Sequence, residues 1–302
     1  MSNLALGILD FGYLKTPELY AHQVINSLFN EIGEYERMGY KRLWLSEHYS
    51  PEFAWFNPRM LLPLLAGYSE HIRVGIAGVL LNYHSSLQTA HDFRLLSALY
   101  PERIDLGIAR AGVPDDISRY LYRHPQAGQA AQWEAHVNDL FAFLKEDDST
   151  RTIVPNLLIP PHGTTLPETW FLGTSGSGIE LALKHRSNFC LSLMHPGADI
   201  ERNASVIKEF KKLFFDRYGV FPLTSILICA SDTTDKEQLE RLKVNYNKLH
   251  QANPFGPMEF IVEYIIRLSS QLGSDEVVVF YPEHRRELRV DFYNRLSVVM
   301  NC

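Results

Sequence analysis

The chain has 302 residues, 46% of them hydrophobic and 21% charged, with a formal net charge of −6. That length buries a large core, and an α/β barrel of this size is commonly one domain. The acidic balance and the lack of a basic block argue against a nucleic-acid partner, and no apolar run approaches the ~18 residues of a membrane helix. The N-terminus, MSNLALGILDFGYL, has no basic n-region and no small-residue cleavage pattern, so it reads as a first strand. Cys190, Cys229 and Cys302 are odd in number and far apart, with neither CxxC nor a Cys/His ligand spacing. Reduced thiols, a cytoplasmic setting and no metal site are the expectation.

Strands and helices alternate along the chain. A strand is predicted over 4–9 and a helix over 20–38, with Val24, Ile25, Leu28, Phe29, Ile32 and Tyr35 on one face and Gly39 as C-cap. A strand follows over 42–48, then a helix from Pro58 to about 69. Strands at 74–81 and 103–109 flank a helix at 87–99. That crossover is too long for a hairpin, so the two strands are parallel. Gly75 and Gly78 interrupt the first of these strands, as at a bulge or where a ligand nears the backbone. A helix over 128–145 carries a core stripe that includes Trp133 and Val137. A proline-rich connection runs over 147–168.

Strands are next predicted at 169–173, 188–193, 223–230 and 276–281. Helices are predicted from the TSGSG segment onward and at 200–218, 236–249, 258–272 and 285–299. Eight strands, each followed by a helix, predict a (β/α)8 TIM barrel with its site at the C-terminal strand ends. A doubly wound sheet would announce a Gly-rich fingerprint after the first strand, and DFGYLKTPE is not one.

The predicted strand ends hold the candidate chemistry. The fifth gives Gly173, Thr174, Ser175, Gly176, Ser177 and Gly178 where a helix begins, which suits a phosphate, with Arg110 as its cation. The competing reading is an N-cap and a flexible turn. Glu47 and His48 end the second strand, and His48 is either an acid/base group or a satisfied structural histidine. His84 and His195 carry the same two readings. No HxH or HExxH pattern joins these histidines into a metal site. Phe11, Tyr13, Tyr49, Phe53, Trp55 and Phe56 either line an apolar or aromatic substrate pocket or pack loops onto the barrel.

Five segments together resemble the bacterial luciferase-like flavin-dependent monooxygenases: LWLSEHY, VGIAGVLLNYHSSLQTAHDF, YPERIDLGIARAG, WFLGTSGSGIELALKH and the stretch from NPFGPMEF to DFYNRL. The resemblance implies a (β/α)8 barrel that binds reduced FMN, or in some branches a deazaflavin, at the mouth. It places a non-prolyl cis peptide at Ala77-Gly78 behind the flavin ring and Glu47 near that ring. Arg110 and Ser175 to Gly178 fall at the flavin phosphate and His48 is the acid/base group. Thr174 is taken with the cofactor site, and His84 and His195 with the substrate pocket. Departures from the family pattern are Asn82 and Ser86 for prolines, His91 for a glutamate, Gly178 for a threonine and Ala109 for a cysteine. The stretch between 249 and 257 is also short, which implies an altered lid or a more open pocket.

The function so implied is that of a two-component monooxygenase. A separate NAD(P)H-dependent reductase supplies FMNH2, O2 adds to the flavin, and the resulting flavin peroxide oxygenates a small organic substrate. A homodimer through the early helices is implied as well. The alternatives are a deazaflavin-dependent hydride-transfer oxidoreductase, a flavin-binding protein without turnover, and a metal-dependent barrel hydrolase.

Overall fold

A computed structural model describes residues 4–14, 21–121, 130–145, 154, 157–194, 199–246 and 253–300. Eight parallel strands pair in chain order and close on themselves: β1 Ala5–Asp10, β2 Arg42–Leu45, β3 Arg73–Leu80, β4 Ile104–Ala109, β5 Glu168–Gly173, β6 Asn188–Ser192, β7 Thr224–Cys229 and β8 Glu276–Phe280. The closing pair is β1 with β8, from Ala5 opposite Glu276 to Ile8 opposite Val279. This is a TIM barrel. The described helices around it are α1 Ala21–Arg37, α2 Leu62–Gly67, α3 Ser86–Leu99, α4 Asp115–Leu121, α5 Ala130–Lys145, α6 Ile179–His185, α7 Ile200–Tyr218, α8 Lys236–Tyr246, α9 Met258–Leu272 and α10 Arg286–Met300.

Strand residues alternate between two cores, as a period of two requires. One set, including Ile8, Leu43, Leu45, Ile76, Leu106 and Ile108, packs outward against helix residues such as Leu28, Ile32, Phe93 and Val137. The other set fills the barrel with Leu9, Trp44, Trp170, Cys190, Leu227 and Val278. Cys190 and Cys229 are wholly buried there, and burial pushes both thiols up, Cys190 to about 12. Cys302 lies outside the described residues.

One step below the tryptophans, toward the N-terminal strand ends, the barrel floor is charged. Arg42 donates to Glu276 at 2.6 Å, to Asp105 at 2.5 Å and to Glu168 at 3.2 Å. The indole N–H groups of Trp44 and Trp170 donate to Asp105 and Glu168 at 2.8 and 2.9 Å. Burial alone would lower the Arg42 pKa, but the three surrounding carboxylates raise it. Burial raises the Glu276 carboxyl above its ordinary range, with Arg42 opposing. This floor explains Gly75. A Cβ there would stand 2.5 Å from the Asp105 carbonyl oxygen, so a neighbouring strand occupies the space that the sequence reading gave to a ligand.

Helices α7 and α9 have the predicted bounds, fixed by the Asp199 N-cap and by Gly219 and Gly273 at positive φ. Three expectations change. Strand β2 ends at Leu45 rather than at 48, because His48 N–H pairs with the Phe56 carbonyl in the following loop. The helix predicted from Pro58 is a 3-10 turn, Pro58–Leu61, before α2. Helix α4 was not predicted at all: it buries no side chain, so it carries no apolar period.

Candidate functional site

At the C-terminal strand ends a cavity of about 750 Å³ opens. Leu9 from β1 and Phe11 just beyond it, Ala77, Gly78 and Leu80 from β3, and Leu227 from β7 reach it from the barrel. Residues 46–49 after β2, 110–114 after β4, and Thr174 after β5 raise its walls. A second groove, of about 570 Å³, lies outside the barrel between α7 and α9 and collects none of this chemistry.

The back wall is an irregularity in β3. The Ala77-Gly78 peptide is cis, and the pairing with β4 shifts between Ile76 and Val79. This is the bond and bulge that the family resemblance implied. Residue 78 has no space for a side chain, since a Cβ would come within 2.9 Å of both the Cβ and the backbone nitrogen of Ala109.

Glu47 is buried beside this wall. Its Oε2 accepts the Leu80 N–H at 3.1 Å, and its Oε1 accepts the Tyr49 hydroxyl at 2.9 Å and lies 2.6 Å from His84 Nε2. Burial, reinforced by the Glu47 carboxylate, pushes the Tyr49 hydroxyl up. His48 is exposed at the mouth, with its ring centroid 5.3 Å from Phe11 and 5.5 Å from Phe53.

Exposed Arg110, which directly follows β4, lines the cavity together with Thr174 and Gly178. Arg110 makes no ion pair within the described residues. The 176–178 segment is a 3-10 turn that leads into α6, with extended Ser175 before it. Arg110, Thr174 and Gly178 line the cavity from the ends of the neighbouring strands β4 and β5, where a phosphate would find a cation, a hydroxyl and open backbone. Ser175 is exposed and is not part of the wall. Gly176 faces helix α7, where a Cβ would meet Val206 at 2.6 Å.

Of the expected pocket residues, Phe11 and Tyr49 reach the cavity, and Tyr13, Phe53, Trp55, Phe56 and His84 do not. Tyr13 is exposed and pairs with Phe53 in an isolated bridge. Trp55 is buried, its Nε1 donates to the Ser46 carbonyl at 3.0 Å, and its ring covers Gly12, which has φ +69° and no room for a Cβ. His84 stands behind Glu47, its Nε2 2.6 Å from the Glu47 Oε1. His195 and the Ser177 side chain lie outside the described residues. Conversely, Trp133 and Glu134 of α5, Leu181 and Lys184 of α6, and Met194 also line the cavity. The spacing of Leu181 and Lys184, three apart on a helix that starts at a strand end, was the available signal. Among the described residues no group of three or more His, Cys, Asp or Glu side chains converges as metal ligands. No described helix is long and apolar enough to cross a membrane.

Eight parallel strands with a walled mouth at their C-terminal ends make this a barrel of the mouth-site kind. The chain belongs to the luciferase-like monooxygenase family, whose model matches residues 9–263. Among curated relatives, it is 30% identical over 207 residues to the uncharacterized protein YwcH of Bacillus subtilis (strain 168), covering 67% of this chain and 61% of that one. It is also 30% identical over 180 residues to the N-acetyl-S-alkylcysteine monooxygenase of the same organism, covering 59% of this chain and 52% of that one. The chain thus spans about three fifths or less of the length of these relatives.

The fold superposes on apo-MsnO8 with TM-score 0.82 at 21% identity, covering 99% of this chain and 98% of that one. It superposes on the oxygenating constituent of 3,6-diketocamphane monooxygenase from Pseudomonas putida, in complex with FMN, with TM-score 0.72 at 15% identity, covering 98% and 96%. An F420-dependent secondary alcohol dehydrogenase matches with TM-score 0.66 at 11% identity, covering 97% and 98%. The fold is therefore shared by proteins that hold FMN and by proteins that use F420.

Proposed function

We propose that the protein is the oxygenating component of a two-component flavin monooxygenase. It would take reduced FMN from a separate NAD(P)H-dependent reductase and use O2 to oxygenate a small organic substrate. One observation carries this reading: the cavity lined by the Ala77-Gly78 bulge also presents Arg110, without an ion-pair partner among the described residues. A backbone wall without a side chain at residue 78 and a cation lining the same cavity suit a planar ring with a phosphate tail.

Reduced FMN, when bound, supplies the electrons with which oxygen is activated toward the substrate. The chain's own residues bind, shield and handle protons. Arg110 and Thr174 would hold the phosphate, and Gly78 gives the ring access to the backbone. His48, at the mouth against Phe11 and Phe53, is placed to give or take a proton at the substrate. Phe11, Leu80, Met194 and Leu227 make the interior wall apolar, which keeps water from the reacting atoms.

A homodimer belongs to the same reading. Met60, Leu64 and Tyr68 around α2, and Leu95 and Leu99 on α3, expose apolar side chains on the early helices, with Met60 81% exposed.

Rapid mixing of the protein and reduced FMN with oxygenated buffer, followed by flavin absorbance, tests the proposal. Reoxidation much slower than that of free reduced FMN, together with oxygen from O2 in a product, is the expected result. Reoxidation at the free rate sets the monooxygenase reading aside, and F420 binding is then the next measurement. Slow reoxidation without product for any substrate favours a flavin carrier.

A further inference from the structure

The groove of about 570 Å³ outside the barrel shares no residue with the mouth. Its lining runs along α7 from Ala204 to Asp216, over Phe221 and onto residues 270–273 at the end of α9. Those segments lead into β7 and β8, so the groove lies toward the floor end of the barrel. Ala204, Lys208, Lys211, Lys212 and Phe215 recur at spacings of three and four, which puts them on one face of α7. Buried Ile207 and Leu272 give the groove an apolar base.

Its charge runs against that of the chain. The protein carries a formal net charge of −6, yet three lysines and one carboxylate, Asp216, line this groove. Lys211 is already committed. Its Nζ donates to the Gly273 carbonyl at 2.7 Å and to Asp275 Oδ1 at 2.8 Å, which ties α7 to the end of α9. Lys208 and Lys212 stand one turn apart, are exposed, and make no ion pair among the described residues. Beside them the rings of Phe215 and Phe221 stack with centroids 4.6 Å apart at 23°. Phe221 is 66% exposed and Phe215 43%. An aromatic pair left so far in water offers a face for a further ring, and exposed apolar surface of this kind marks a contact site.

We infer that this groove is a second binding site, for a small molecule that combines a flat aromatic ring with an anionic group. The ring would extend the Phe215–Phe221 stack over the apolar base. The carboxylate, sulfonate or phosphate would meet Lys208 and Lys212. The groove has the volume of a small-molecule site, roughly 300–1,000 Å³, and the two unpaired lysines select an anion over a neutral ring or a cation. No residue of the mouth takes part, so the inference stands apart from the flavin reading.

Calorimetric titration with 2-naphthoate tests the site. It is compared with 2-naphthalenemethanol, which keeps the rings without the charge, and with cyclohexanecarboxylate, which keeps the charge without an aromatic ring. The proteins are wild type, Lys208→Ser/Lys212→Ser, Phe221→Ser and, as a control for the mouth, Arg110→Ala. All four altered side chains are exposed, so the variants should fold as wild type does. In wild type and in Arg110→Ala alike, 2-naphthoate should saturate one such site per chain and bind more tightly than either analogue. The double lysine variant should bind it about fivefold or more weakly, as two exposed ion pairs lost together would produce. Phe221→Ser should bind it about threefold or more weakly, as loss of one ring contact would produce. No saturable binding of 2-naphthoate to wild type overturns the site. Wild-type affinity in either groove variant overturns it too, and so does a loss confined to Arg110→Ala, which places the probe in the mouth. Equal affinity for the neutral alcohol overturns the choice of an anion.

Discussion

Gly78 and Ala109 sit so close across β3 and β4 that a Cβ on the glycine would stand 2.9 Å from the alanine Cβ. The two residues are successive parts of one wall, because Arg110 follows Ala109 directly. Gly78→Ala is expected to cost about 1–3 kcal/mol, the usual range for overpacking a filled site, and to weaken FMN binding by displacing the start of the Arg110 loop. Denaturant unfolding and a flavin titration measure both effects. Ala109→Gly in the same chain should recover part of each, since it removes one of the two close atoms. Unchanged stability in Gly78→Ala would show that the strand end yields without cost.

Arg110 is exposed and has no ion pair among the described residues, so its loss should leave folding intact. Arg110→Ala is expected to weaken FMN binding by about 1.5–3 kcal/mol, the range for a hydrogen bond to a charged group. Riboflavin, which lacks the phosphate, should bind wild type and variant alike. Equal losses for both ligands would place Arg110 elsewhere than at the phosphate.

Arg42 holds three carboxylates at the barrel floor, two of them nearly inaccessible to water. Arg42→Met leaves Glu276 buried without a cation and Asp105 with Arg73 as its remaining one, and a loss of about 3–5 kcal/mol follows from breaking one side of such a network. Arg42→Met combined with Glu276→Gln should lose less. A floor variant as stable as wild type in denaturant unfolding would mean that the carboxylates protonate or hydrate at little cost.

His185 stacks on Phe141 with ring centroids 4.1 Å apart and meets Asn138 at 3.0 Å. Burial, aided by Lys145 and Lys184, holds its pKa down at about 4, so the folded state keeps the ring neutral. The unfolded state therefore binds the extra proton more readily between about pH 6.5 and the folded value. The contribution is fully present above that window and is lost as pH falls through it. His185→Phe should remove this part of the acid sensitivity of unfolding. An unaltered pH profile in the variant would assign the sensitivity to other groups.

Leu64 and Tyr68 are 50% and 64% exposed on the early helices. Leu64→Arg should convert a dimer to a monomer in sedimentation measurements while leaving the thermal unfolding of the monomer unit little changed. A wild-type chain that sediments as a monomer removes the dimer from the reading.

The barrel was legible because its helices advertise both their apolar faces and their ends. Helix α7 runs between Asp199 and Gly219, and both residues announce their roles in sequence. Helix α4 was hidden because a helix that buries nothing has no apolar period. The strand-end motifs gave the mouth its residues, among them Ala77, Gly78 and Arg110, but not the orientation of each side chain. Trp55 and His84 sit near the mouth in sequence, yet one covers Gly12 and the other backs Glu47. The floor was invisible for a different reason. Arg42 and Glu276 are 234 positions apart, and only closure of the sheet makes them neighbours.

That floor has a consequence for traffic. Charge fills one end of the barrel and the wholly buried Trp44 and Trp170 stand above it, so the mouth is the open end of a blind well. Ligands that share such a well queue at one doorway. If a cofactor and a substrate share that doorway, as the proposed function has it, the one seated deeper would have to arrive first and leave last.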